Sequence, residues 1–133
     1  LKYLGESARP RQIKRAVALS VPLDLLSSCH RISTPSNRLY ANRFLRSLKD
    51  KILRKATIRN DINTTGLRTI NSLIEFDNRY TAPLHGFEDA VDYYRQCSAI
   101  RFIESISVPT LIINAANDPF LSEACYPDHI GSH

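Results

Sequence analysis

Two short apolar runs, one near each end of the chain, predict β-strands. The first, Ile13 to Val21, is nearly continuous and is ended by Pro22. The second begins after Pro109 with a β-branched and aliphatic stretch and is closed by an Asn-Asp-Pro turn. We expect two parallel strands, at about 13–21 and 109–115. Both should be buried, the first on both faces because its apolar run does not alternate with polar residues.

Between these runs the apolar residues change to the three-and-four spacing of amphipathic helices. The first helix begins near Asn37, with Ser36 or Asn37 as its N-cap. Its predicted apolar face comprises Leu39, Tyr40, Phe44, Leu45, Leu48, Ile52 and Leu53. Three further helices are predicted at Leu67 to about Asp77, Phe87 to Gln96, and Ser98 to Ile103. The stretch from Leu25 to Asn37 is rich in Ser, Thr, Pro and Asn and predicts a loop.

Charge is divided unevenly along the chain. Residues 1–66 hold 14 Lys or Arg against 4 acids, whereas residues 67–133 hold 4 against 9. Much of the excess lies on the polar face of the first helix, at Arg38, Arg43, Arg46, Lys49, Lys51, Arg54 and Lys55. Such a face is usually a solvated one, and an anionic lipid surface or nucleic acid is the alternative. Since no zinc-finger, RRM or KH signature is present, we expect no nucleic acid partner.

The composition excludes several classes of protein. With 133 residues, 43% of them hydrophobic and 23% charged, the chain has the composition of one globular domain. Its three cysteines form no Cys-x-x-Cys pair, so we expect reduced thiols, no metal and no cofactor in a cytoplasmic protein. No apolar run approaches the roughly 20 residues that span a bilayer, which leaves peripheral membrane contact open. The absence of Met indicates a piece of a longer sequence.

Asp118 is the candidate site residue. It follows the second predicted strand, and chemistry in open α/β sheets occurs at the carboxyl ends of the strands. Asp before Pro is also ordinary turn chemistry, so position alone leaves both interpretations open. Other polar residues have ordinary structural explanations: Ser20 inside a strand, His85 in a turn, and Asp77 as a helix cap or helix charge.

Several separate motifs occur together in a recognisable order. They are Ser20 to Leu25 (SVPLDL), Glu75 to Asp77 (EFD), Tyr80 to Phe87 (YTAPLHGF), Asp92 to Tyr94 (DYY), Pro109 to Ala115 (PTLIINA) and Asn117 to Phe120 (NDPF). In this combination the chain resembles the YheT-like branch of the α/β-hydrolase superfamily. The resemblance covers most of 18–120 and implies one incomplete α/β-hydrolase domain over 1–133. Residues 25–105 would form a cap-like helical region between the two strands.

The resemblance also implies a function. Family members are serine carboxylic-ester hydrolases without a cofactor, and Asp118 matches the acid of their Ser-His-Asp triad. The nucleophile elbow of the family runs into a helix whose end resembles 1–6, so we expect the Ser upstream of Leu1. The general base lies in a Gly-Gly-His motif that neither His129 nor His133 matches.

On these grounds we expect a chain that is inactive alone and that belongs to an enzyme acting on an ester or lipid-like substrate. Two parallel strands without neighbours would also expose sheet edges through which the chain could self-associate. The alternative to a hydrolase is a non-catalytic basic helical binding module.

Overall fold

The computed structural model describes residues 1–6 and 12–127. Its α-helices are α1 (Lys2–Gly5), α2 (Leu25–Ile32), α3 (Arg38–Ala56), α4 (Leu73–Phe76), α5 (Ala82–Leu84) and α6 (Ala90–Cys97). Its strands are β1 (Ala16–Leu19) and β2 (Thr110–Ile113). Short 3-10 turns occur at Pro35–Asn37, Leu67–Thr69, Ala99–Ser105 and Glu123–Cys125, and a π-helical turn at Asp77–Thr81 follows α4.

The two strands form a parallel sheet. Ala16 pairs with Thr110 and Leu19 pairs with Ile113, and all of α2 to α6 lies between the strands in sequence. The expectation of a partial α/β fold with two parallel strands is therefore confirmed. Both strands are shorter than the apolar runs that predicted them. β1 ends at Leu19 because Ser20 turns into the left-handed region, with a φ of 48°, which a strand cannot accommodate.

The predicted burial of both strands, on both faces in the case of β1, is wrong. Alternate residues are exposed along each strand: Val17 by 63%, Leu19 by 68%, Leu111 by 56% and Ile113 by 48%. The intervening residues are partly covered, and Ile112 packs against a core cluster formed by Leu23, Ala99, Ile103, Leu121 and Cys125. Among the described residues, helical elements cover one face of the sheet and leave the other open.

Helix α2 replaces the loop predicted for 25–37. Asp24 caps it, because the Asp24 carboxylate accepts a hydrogen bond from the Ser27 amide at 2.8 Å. The polar residues Ser27, Ser28 and His30 hid an apolar face at helical spacing. In that face Cys29 is buried and packs with Ala90 and Tyr94 of α6 in a second core cluster.

Helix α3 confirms the amphipathic helix predicted from Asn37 onward. Leu45 and Ile52 are buried in a third cluster with Leu67, Ile70, Phe76 and Tyr80. The predicted apolar face is too wide, because Leu39 is 84% exposed and Leu53 is 44% exposed. Asn37 precedes the helix but makes no side-chain cap, because its amide serves a different contact. No helix in the described part of the chain is long and apolar enough to cross a bilayer.

The three later helices differ in extent from the predictions. The predicted helix 67–77 is interrupted, because Ser72 starts a new helix by accepting a hydrogen bond from the Glu75 amide at 3.2 Å. The predicted helix 87–96 begins only at Ala90, with Asp89 as the side-chain cap. The segment predicted at 98–103 is a 3-10 helix over Ala99–Ser105.

Candidate active site

Asp118 lies in the loop that leaves the carboxyl end of β2. The Asp118 amide donates to the Ala115 carbonyl at 3.0 Å, and the Phe120 amide donates to Asp118 Oδ1 at 2.9 Å. These contacts fix the direction of the half-buried carboxylate and engage Oδ1. Among the described residues no group donates a hydrogen bond to Asp118 Oδ2, which can therefore accept one from another group, as the acid of a triad must.

The two strand ends below this loop are joined by a side chain. Asn114 Oδ1 accepts from the Val21 amide at 2.8 Å, and Asn114 Nδ2 donates to the Val21 carbonyl at 3.1 Å. A longer contact of 3.4 Å links Asn114 Nδ2 to the Cys125 carbonyl. Asn114 therefore continues the pairing of β1 and β2 after the regular sheet has ended, four residues before Asp118.

The loop that follows β2 and carries Asp118, called the acid loop below, also contacts the start of α3. Asn37, which is 4% exposed, donates from Nδ2 to the Pro119 carbonyl at 2.7 Å. The ring of Phe120 meets Tyr40 and Phe44 of α3 edge to face, with centroids 5.1 and 5.8 Å apart. Edge-to-face pairs of this kind add stability beyond area burial. The two residues that follow Asp118 are thus held by the helical region that the sequence predicted to be a cap.

A cavity of about 650 Å³ lies beside Asp118. Its wall is mainly apolar and includes Leu25, Ile32, Phe44, Leu48, Leu73 and Leu121. Its size is within the range of sites for small organic ligands, and the combination of apolar walls and a few polar groups is typical of them. Ser20, Asp118 and Lys51 are among the polar residues that line it.

A hydrogen-bonded chain of polar groups lines another part of the same cavity. The Tyr94 hydroxyl donates to Asp77 Oδ2, the Thr81 hydroxyl donates to Asp77 Oδ1, and Cys29 Sγ lies 3.3 Å from the Tyr94 hydroxyl. Burial, and then the hydrogen bond to Asp77, raises the pKa of Tyr94 far above its ordinary value. Burial likewise raises the pKa of the Cys29 thiol. Both groups therefore keep their protons at neutral pH.

Sequence reasoning located Asp118 but missed the groups around it. The sequence pattern predicts Asn37 only as a helix cap and Asp77 only as a helix cap or helix charge. In the structure the Asp77 carboxylate accepts two side-chain hydrogen bonds beside the cavity. The partners of Asn37 and Asn114 are 82 and 93 residues away, so no local pattern could reveal them. Ser20, expected inside a strand, lies just past β1 on the cavity wall.

The other candidates contribute little to this site in the described residues. His85 is exposed in the turn after α5 and does not line the cavity. His129 and His133 lie outside the described residues. The three cysteines are free, and within 1–6 and 12–127 no group of three or more His, Cys, Asp or Glu could hold a metal ion.

Comparison with known proteins gives consistent relatives. The chain is 35% identical over 127 residues to YheT of Escherichia coli, which is named as an esterase; the match covers 93% of this chain and 37% of YheT. It is 30% identical to a monoacylglycerol lipase of Saccharomyces cerevisiae, with 98% of this chain and 31% of the lipase covered. It is 27% identical to phospholipase ABHD3 of Mus musculus, with 96% and 31% covered.

The chain thus spans about a third of the length of these relatives. No protein-family model matches it, and no solved structure does. The relatives are α/β hydrolases, and they match nearly the whole chain, including the parallel strands and the acid loop. The chain therefore belongs to the YheT-like branch of the α/β-hydrolase superfamily.

Proposed function

We propose that this chain supplies the triad acid, Asp118, and the acyl-binding cavity of a serine carboxylic-ester hydrolase. The observation that carries the proposal is the position of Asp118 beside a 650 Å³ apolar cavity, where the Phe120 amide holds one carboxylate oxygen and no group in the described residues donates to the other. In the proposed reaction the free oxygen orients the imidazole of the general base. Its charge stabilises the imidazolium that forms when the base takes the serine proton.

The names of the relatives support an acyl ester as the substrate class. They are an esterase, a monoacylglycerol lipase and a phospholipase, and two of these three names refer to lipid substrates. An apolar wall suits such a chain, since each buried methylene contributes about 0.8 kcal/mol. We propose that Phe44 and Leu48 of α3, part of the cap-like region 25–105, contact the acyl chain.

We further propose that the nucleophile and the general base come from sequence outside these 133 residues, so that the chain alone does not turn over ester. A fluorophosphonate probe tests this directly, because it reacts only with an activated serine. We expect less than a tenth of an equivalent of label on the 133-residue chain. Labelling of one equivalent, mapped to Ser20 or any other serine of the chain, would contradict the proposal.

The acyl cavity can be tested without turnover. A fluorescent fatty acid should bind the 133-residue chain, and decanoate should displace it. Phe44→Ala and Leu48→Ala should weaken binding by several-fold, since each removes apolar surface from the wall. Leu39→Ala is a matched control, because Leu39 is on the same helix but is 84% exposed. Equal affinities for all four proteins would exclude the cavity as the binding site.

The open face of the sheet suggests how the isolated chain behaves. The sheet exposes an apolar patch that comprises Val17, Leu19, Leu111 and Ile113, and no other strand among residues 1–6 and 12–127 pairs with its edges. We propose that two copies of the chain associate there, because burying this patch removes apolar surface from water. Light scattering should show a dimer or larger species that Val17→Lys and Leu111→Lys convert to monomer. A monomeric wild-type chain at micromolar concentration would refute this.

Peripheral membrane contact through α3 is a separate proposal. Arg43, Arg46 and Arg54 are exposed on this helix together with Leu39 and Leu53. Basic and apolar side chains together favour the surface of an anionic bilayer. The chain should cosediment with phosphatidylserine vesicles at low salt, and less so after Arg43→Gln and Arg46→Gln. Equal sedimentation with neutral vesicles would contradict an electrostatic contact.

A further inference from the structure

Asp77 occupies an unusual place on the cavity wall. It begins the π-helical turn Asp77–Thr81, which interrupts the regular helix after α4. Turns of this kind are rare and often occur at functional sites. The turn places the Thr81 hydroxyl 2.5 Å from Asp77 Oδ1, and α6 brings the Tyr94 hydroxyl to Asp77 Oδ2. Two different elements therefore hold the carboxylate in one orientation beside the cavity.

The Asp77 carboxylate is the acceptor in both of its side-chain hydrogen bonds, which come from the Thr81 and Tyr94 hydroxyls. The Tyr94 hydroxyl donates to Asp77 Oδ2, and it is also the donor in the longer contact of 3.3 Å to Cys29 Sγ. Burial raises the pKa of Tyr94, so this donor stays protonated. An ionised carboxylate offers about four acceptor positions, and the two hydroxyl groups occupy one on each oxygen. Acceptor capacity therefore remains on Asp77.

Among the described residues no ion pair includes this carboxylate, and Lys51, which lines the same cavity, forms none with it. The ion pairs found there join Lys2 to Glu6, Arg59 to Asp61 and Arg95 to Asp92, and none includes Asp77. A half-buried carboxylate in a largely apolar wall is costly unless further donors reach it. A ligand in the cavity can supply such a donor, because Asp77 is part of the lining.

We infer that Asp77 binds a free hydroxyl group of the ligand, so that the cavity selects acyl esters of a polyol over esters of a simple alcohol. A neutral hydroxyl suits the site better than a cation, since entering an apolar cavity costs a hydroxyl much less than it costs a charge. This selection rests on the proposed acyl-binding function, because the apolar wall must hold the rest of the same ligand. Asp77 is then a specificity-determining residue, separate from the triad acid.

The test compares two ligands that share a carbon skeleton. 1-Monodecanoylglycerol and propyl decanoate differ only in the two hydroxyl groups, and each can displace a fluorescent fatty acid from the 133-residue chain. For Asp77→Leu we expect about a tenfold loss of affinity for the glycerol ester, since a hydrogen bond to a charged group is removed. Affinity for propyl decanoate should stay within twofold. Asp50→Leu, an exposed acid of α3 outside the cavity, is the matched control.

A graded variant covers the case in which Asp77→Leu does not fold. Asp77→Asn keeps the shape of the side chain and one acceptor oxygen, and should lower affinity for the glycerol ester about threefold, again without effect on propyl decanoate. Equal losses for both ligands, or no change in the ratio of their affinities in either variant, would overturn the role of Asp77. Binding of neither ligand to the wild-type chain would instead show that the acyl cavity is wrong, and the role of Asp77 would fall with it.

Discussion

Asn114 is the side chain whose removal should do most damage to the geometry of the site. Asn114→Ala deletes the hydrogen bonds of 2.8 and 3.1 Å to the two backbone groups of Val21, and the weaker contact of 3.4 Å to Cys125. Each ordinary hydrogen bond contributes about 0.5–1.5 kcal/mol net, and a partly buried partner left unpaired adds to the loss. Two good bonds and one poor one therefore amount to about 2–3 kcal/mol.

Urea unfolding followed by far-UV circular dichroism measures this loss. Because the chain has no Trp, secondary structure is the more convenient signal. With a slope of about 1.5 kcal/mol per molar urea, the midpoint should fall by about 1.3–2 M. Asn114→Asp keeps the acceptor for the Val21 amide but replaces the donor with a carboxylate oxygen that faces the Val21 carbonyl, so it should be no more stable than Asn114→Ala.

The matched control is Asn117→Ala, because Asn117 is an exposed residue of the same loop. Its free energy of unfolding should lie within about 0.5 kcal/mol of the wild-type value, as for most exposed substitutions. If Asn114→Ala and Asn117→Ala are equally stable, the side chain of Asn114 does not hold the strand ends together. The account of how the acid loop is positioned would then be wrong.

Four further substitutions or conditions test the rest of the fold by the same unfolding assay. Gly5→Ala should cost about 1–3 kcal/mol, because a Cβ there would lie 2.4 Å from the Phe102 carbonyl oxygen. Leu23→Ala should cost about 2–5 kcal/mol, since the side chain is fully buried, and a loss below 1 kcal/mol would contradict its place in the core. Asp89→Ala should cost about 0.5–2 kcal/mol through loss of the cap of α6. The raised pKa of the Cys29 thiol stabilises the fold below the ordinary thiol pKa of about 9, and this contribution is lost as the pH rises further, so Cys29→Ala should lose less stability above pH 9 than the wild type.

The elements that could be predicted from sequence are those in which apolar spacing alone decides the structure. The runs near 16–19 and 110–113 became parallel strands, and the three-and-four spacing after Asn37 became α3. Helix α2 escaped prediction because its cap, Asp24, was not recognised and its polar residues masked the apolar face. A nearly continuous apolar run predicts burial on both faces of the sheet, but burial depends on which elements cover the sheet, and that is not a local property.

The same distinction holds for the candidate site, where local sequence predicts some residues and not others. Asp118 could be located because it follows a predicted strand and lies within the NDPF motif. Asp77 could not, because its significance comes from Tyr94 and from a cavity formed by α2, α3 and α6. A hydrogen bond between residues far apart in sequence has no periodic signal. Contacts of this kind, such as that between Asn37 and Pro119, become visible only in the folded chain.

The most direct test of the central claim is the effect of Asp118→Asn on ester hydrolysis by a protein in which this chain is joined to the proposed nucleophile and general base. Removal of the charge from a triad acid should lower kcat roughly 10⁴-fold, because the imidazolium loses its stabilising partner. KM for a decanoyl ester should change little, since the apolar wall of the cavity is untouched. Asn117→Ala should leave both constants at the wild-type values. A kcat for Asp118→Asn within tenfold of the wild type would contradict the assignment of Asp118 as the acid of the triad.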